Sequence, residues 1–239
     1  MEKRNPNMTF VSGAMDRTFS LRRKEIVEQE PHVNLVKNRW PALFLEHQVN
    51  CEFQRITMVY LKRTFLDAVE RHTPKLLQMF RRRRAYFGEE MQTLLDSLDK
   101  QTSDISMHRR TVALRGLPLF LRDHGAEKIL RTCLNTDPEE GYTKDVKMAI
   151  MTVVEDDVGA SASLPHVEDH AIILEEIVVM HNICDLPNAF ALFFGLLYAL
   201  NFQYPKELKY TCEVIQKVFL GLGDDCSARV QSFKNKLLQ

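Results

Sequence analysis

One stretch of this sequence constrains the rest. Residues 189–200, AFALFFGLLYAL, carry no charge and are apolar on nearly every face of a helix. A helix of that kind belongs at the centre of a fold, with other elements packed around it. Its 12 residues fall short of the roughly 20 needed to span a bilayer. Asp185 stands ready to cap it and Pro187 suits its first turn. A core helix with no polar face needs partners that present apolar stripes, and the sequence supplies them.

Leu45, Val49, Phe53, Ile56 and Tyr60 recur at spacings of three and four, and Phe65 and Val69 extend the pattern. Thr73 and Pro74 read as the cap and first position of a new helix carrying Leu76, Leu77 and Phe80. Further helical spacings follow at Phe87, Met91, Leu94, Leu95 and Leu98, and around Val112 and Leu114. Gly116, Leu117 and Pro118 are expected to break the last of these. Near the C-terminus, Leu208, Cys212, Ile215 and Phe219 form one stripe, and a closing helix spans 227–238. Gly and Pro number only 9 each, which favours helices over a sandwich or barrel.

Between these helices the period changes. Val146, Met148, Ile150, Thr152 and Val154 alternate with other residues, and 171–180 is a second β-branched run. They predict an antiparallel pair joined by the loop 155–169. Glu175 and Glu176 fall inside the second strand, where they would blunt an exposed edge. Residues 1–34 are polar, charged and aperiodic, and are expected to be a disordered tail. The expected fold class is α+β, predominantly α, with a small antiparallel β-element at about 146–180. One helical domain over 35–239 would hold it, with a basic helical part at 35–135 and the hairpin and core helices at 136–239.

No residue pattern marks an active site. There is no glycine-rich phosphate loop, no Gly-x-Gly-x-x-Gly and no Gly-x-Ser-x-Gly. The five cysteines lack the short spacings of a zinc or redox motif and read as free thiols in a reducing compartment. His166 and His170 lie four apart, in loop running into strand and not on a helix, so no metal site is expected of them. Around Cys226, Asp225 or Ser227 reads as the cap of the last helix rather than as part of a nucleophilic site. Catalytic residues, metal and cofactor are all expected to be none.

The charge is neutral overall and unevenly spread. Residues 1–120 carry 21 Lys and Arg against 14 Asp and Glu, a balance of +7, and residues 121–239 carry 11 against 18, a balance of −7. The basic candidates for interaction are Arg81, Arg82, Arg83 and Arg84 with Arg109 and Arg110. The acidic ones are Glu155, Asp156, Asp157, Glu168 and Asp169, which the expected strand pair would bring close together. Oppositely charged faces steer and register a protein encounter.

Several runs carry a resemblance: Arg39-Trp-Pro-Ala-Leu-Phe44, Glu52-Phe-Gln-Arg-Ile56, Gly116-Leu-Pro118 with Phe120-Leu-Arg122, and Val153-Val-Glu-Asp156. To these add Asp185-Leu-Pro-Asn-Ala-Phe190 through Tyr204-Pro-Lys-Glu-Leu-Lys209, then Cys226-Ser-Ala-Arg229 and Lys234-Asn-Lys-Leu-Leu238. Over about 33–239 the chain resembles the sterile alpha motif domain-containing protein three-like family of fishes, in the region downstream of the sterile alpha motif. The motif itself, a five-helix protein-association bundle, is not expected here. The resemblance implies an intracellular, non-enzymatic protein.

The expected function is therefore a protein-interaction or scaffold module, cytoplasmic or nuclear, with protein partners or a second copy of itself and no membrane. The alternative is a nucleic-acid-associated or nuclear protein that uses the arginine cluster.

Overall fold

The computed structural model describes residues 7–83, 86–156 and 166–239. Its first half is helical: α1 (Met8–Arg17), α2 (Phe19–Gln29), α3 (Val33–Arg39), α4 (Glu46–Thr57), α5 (Leu61–Arg82), α6 (Gly88–Asp99) and α7 (Ile105–Leu121). The second half inserts a sheet: β1 (Leu130–Leu134), α8 (Glu139–Thr143), β2 (Met148–Val154), β3 (Val167–Leu174) and β4 (Ile177–Ile183). Helices α9 (Leu186–Ala199), α10 (Lys209–Val214) and α11 (Ala228–Leu238) close the chain. The class is α+β and predominantly α, as expected.

Helix α9 is the hub. Asp185 caps it by accepting from the Asn188 amide at 2.8 Å, and all its residues from Leu186 to Leu197 are buried. It packs on α4, α5 and α7 on one side and on the sheet on the other. Gly195 allows the α4 and α5 approach, because a β-carbon there would lie 2.6 Å from both Leu61 and Val49.

Two expected helix breaks are absent. α5 runs straight through Pro74, and the Thr73 hydroxyl donates back to the Val69 carbonyl at 2.7 Å instead of capping a new helix. Leu76, Leu77 and Phe80 prolong the stripe begun by Phe65 and Val69, and burying them outweighs a proline penalty of about 3 kcal/mol. α7 likewise continues through Gly116 and Pro118, with Leu114, Leu117 and Leu121 all buried. Gly116 is a contact point rather than a breaker: a β-carbon on it would come 2.5 Å from the Phe80 ring.

The sheet has the order β1-β2-β3-β4. β2 and β3 are antiparallel, with Met148 opposite Leu174 and a bulge beside Val153 and Val154. Met148, Ile150, Ile172 and Leu174 face the main core, while Ala149, Met151, Ala171 and Ile173 join Cys133 and Val146 on the other face. The run 171–180 is not one strand. It folds at Glu175 and Glu176, with φ of 50° and 66°, into the antiparallel hairpin of β3 and β4. Neither glutamate therefore blunts an edge from within a strand. The Glu175 carboxylate accepts from the Val33 amide at 2.6 Å and Glu176 from the Asp145 amide at 2.8 Å. These bonds offset a left-handed backbone that costs roughly 1–2 kcal/mol per residue. The expected pair thus becomes a four-stranded mixed sheet, with β1 running parallel to β2.

Residues 8–29 are helical, not a disordered tail. Met15 and Ile26 reach the main core, and a buried ion pair joins them in holding the two helices. Arg22 is fully buried and grips Glu52 with Nε at 2.8 Å and Nη2 at 2.5 Å. Its remaining donors reach the Met15 carbonyl at 3.1 Å and the Thr18 hydroxyl at 2.9 Å. Arg55 shares Glu52 at 2.7 Å and extends to Asp16. A buried, bidentate and fully bonded arginine is the favourable case for an interior charge.

Candidate interaction surface

Strand β1 forms one edge of the sheet. In a parallel ladder, alternate residues of a strand bond the same neighbour. Ile150 donates to the Ile129 carbonyl at 2.7 Å and Asn135 donates to that of Val154 at 2.9 Å. Residues 129, 131, 133 and 135 therefore turn their backbone toward β2, and Leu130, Thr132 and Leu134 turn theirs outward. Leu134 is closed off by Asp137, which accepts from its amide at 2.8 Å and donates to its carbonyl at 3.1 Å. The outward groups of Leu130 and Thr132 have no backbone or side-chain partner among the described residues, and Thr132 is exposed. Beside them lies a groove of about 600 Å³, walled by Pro138, Tyr142 and Met151 and carrying Glu127, Asp137 and Arg131. Sequence periodicity missed this strand because Leu130–Leu134 is five residues long and broken by Arg131 and Thr132.

The acidic candidates gather at the C-terminal end of β1, though not as a ligand set. Asn135 donates to Glu168 at 3.0 Å and accepts from the Asp156 amide at 3.3 Å, and Thr136 donates to the Asp156 carboxylate at 3.3 Å. Glu155 is 4.0 Å from His166. Asp169 turns away and accepts from the Ile183 amide at 3.0 Å. Asp157 lies outside the described residues. Among the described residues, no three His, Cys, Asp or Glu side chains converge as metal ligands.

Among the described residues, the arginines at the end of α5 and those of α7 are not brought together. Arg81 pairs with Asp99 at 2.6 Å and Arg110 pairs with Glu70 at 3.2 Å. Glu70 precedes Arg81 by three helical turns, about 16 Å along α5. Arg82, Arg83 and Arg109 are exposed, and Arg84 lies outside the described residues. Among the described residues, no continuous cationic strip results.

The remaining polar features are structural. A cleft of about 1100 Å³ lies between the Glu30 turn, the start of β2 and the segment after α9. Its Lys128, Arg131, Lys147 and Lys206 are matched by Glu30, Asp145, Glu175 and Glu207. His170 and Thr152 face each other across β2 and β3, and Arg115 donates to the Thr152 hydroxyl at 2.8 Å. Burial pushes the titration of both Arg115 and His170 downward. All five cysteines are free, and burial pushes the Cys212 thiol well above its usual range. Ser227 caps α11 as expected, while its amide and hydroxyl donate to Glu213. No helix among the described residues is long and apolar enough to cross a membrane.

The family model for the helical domain of sterile alpha motif domain-containing protein 3 matches residues 1–45. The chain is similar to that domain there, over α1, α2, α3 and the turn after them. This overlaps the stretch expected from the sequence only at 33–45. No curated protein and no solved structure matches the chain.

Proposed function

We propose that this chain is a non-enzymatic, intracellular protein-interaction module whose docking surface is the free edge of β1. The observation that carries the reading is the pair of outward backbone positions, Leu130 and Thr132, left open beside a groove. An exposed edge is a template for another strand, and native folds usually cover or blunt it. The similarity of residues 1–45 to a domain of a sterile alpha motif protein agrees with an interaction role. The scattered arginines give the nucleic-acid alternative no comparable support.

The test uses the Thr132→Pro variant, which deletes an outward amide that the β1–β2 ladder does not use. Affinity capture from native tissue, with the wild type and the variant side by side, is expected to yield partners that the variant loses. Sedimentation at low and high salt reports whether a second copy is among them. Capture unchanged by the variant, together with a monomer at both salts, sinks the reading.

A further inference from the structure

We infer that the β1 edge takes an extended, basic peptide segment as a fifth strand. This rests on the docking reading above and names the chemistry of the partner.

The backbone sets the first requirement. Leu130 and Thr132 present two outward amides and two outward carbonyls, while Asp137 already occupies those of Leu134. An incoming chain therefore matches the edge only if it is extended and offers its own backbone at alternate residues. The groove sets the second. Pro138, Tyr142 and Met151 line it, so one face of the added strand meets apolar side chains and the other meets solvent.

Charge sets the third. Glu127 and Asp137 line the groove, and Glu139 and Glu140 stand exposed in the first turn of α8. Asp156 and Glu168 are tied to Thr136 and Asn135 directly beyond the end of β1. The cation within the groove, Arg131, is half-buried and leans on the Tyr142 carbonyl at 3.4 Å. An acidic border of this kind attracts a basic strand and repels an acidic one. Of the acidic residues around the 155–169 segment, Asp156 and Glu168 thus lie at one end of the open edge.

The probe is a labelled short peptide that alternates valine and lysine, titrated by fluorescence anisotropy against the full chain. Its counterpart alternates valine and glutamate. The lysine peptide is expected to bind, the glutamate peptide to bind at least about tenfold more weakly, and the difference to shrink as salt rises from about 50 to about 500 mM. Methylating the backbone nitrogens of the lysine peptide at alternate residues, in either of two registers, should abolish binding in one register only. Thr132→Pro should weaken binding about tenfold, the loss of one net hydrogen bond, while Thr132→Val retains it. Thermal melts of both variants confirm the fold. Equal binding of the two charge patterns, binding by both methylated registers or by neither, or no binding of the lysine peptide at all overturns the inference. Should the lysine peptide fail while tissue partners are still lost from Thr132→Pro, the docking reading stands and only its basic-strand chemistry falls.

Discussion

Arg22 illustrates how a single charged residue defeats a reading based on apolar pattern. Its guanidinium is fully buried, yet nothing near it in sequence announces a partner, because Glu52 lies 30 positions on. Residues 8–29 therefore look like a polar tail and fold as two helices. Removing one partner of a buried pair costs about 3–5 kcal/mol, and the contact that Arg55 keeps to Glu52 at 2.7 Å puts the loss of Arg22 at the lower end, about 3 kcal/mol. Arg22→Ala should lower stability by that amount in chemical denaturation and admit proteolysis within α1 and α2 before the remainder of the chain. Glu175 and Glu176 hide a hairpin for a related reason. Turns of this type normally advertise themselves with Asn or Gly, whereas here the Val33 and Asp145 amides, donating to the two carboxylates, hold glutamates at positive φ.

Among the elements, α9 was the most legible, because a run apolar on all faces has one place to go and Asp185 marks its start. The β2–β3 pairing was legible from alternation. The continuities were not legible. Thr73-Pro74 and Gly116-Leu117-Pro118 carry local signals for ending a helix, and burial of Phe80, Leu117 and Leu121 overrides both. The close passage of α5 and α7 at Gly116 makes a clear test. Gly116→Ala gains helix propensity of up to about 1 kcal/mol but drives a methyl group into the Phe80 ring. Overpacking of about 1–3 kcal/mol should win, so the melting temperature should fall. In combination with Phe80→Leu it should fall by less than the sum of the two single changes. The candidate surface was legible only in its charges, since an edge strand's free backbone groups depend on register, which composition does not encode.

At the scale of the whole molecule, two buried histidines couple the fold to pH. Burial, reinforced by Arg71, lowers the titration of His72, which stacks on Phe219 at 5.7 Å. Burial also lowers His170. Both take up a proton less readily in the fold than once unfolded, so the unfolded chain binds more protons below an ordinary histidine pKa of about 6.5. Stability should be level above that pH and fall below it, by up to about 1.4 kcal/mol per pH unit for each histidine. Denaturation midpoints between pH 5 and pH 8 measure the slope, and replacing both histidines with Gln should flatten it.

The arginine clasp also bears on the order in which the chain can fold during synthesis. Arg22 is made 30 positions ahead of Glu52, and Arg23 is made 175 positions ahead of Tyr198, whose carbonyl it bonds at 2.8 Å. At roughly 5–20 residues per second, Arg22 waits a few seconds for its counterion and Arg23 waits until α9 has left the ribosome. A nascent chain stalled short of Tyr198 should therefore keep residues 8–29 open to a chaperone, and completing α9 should close them.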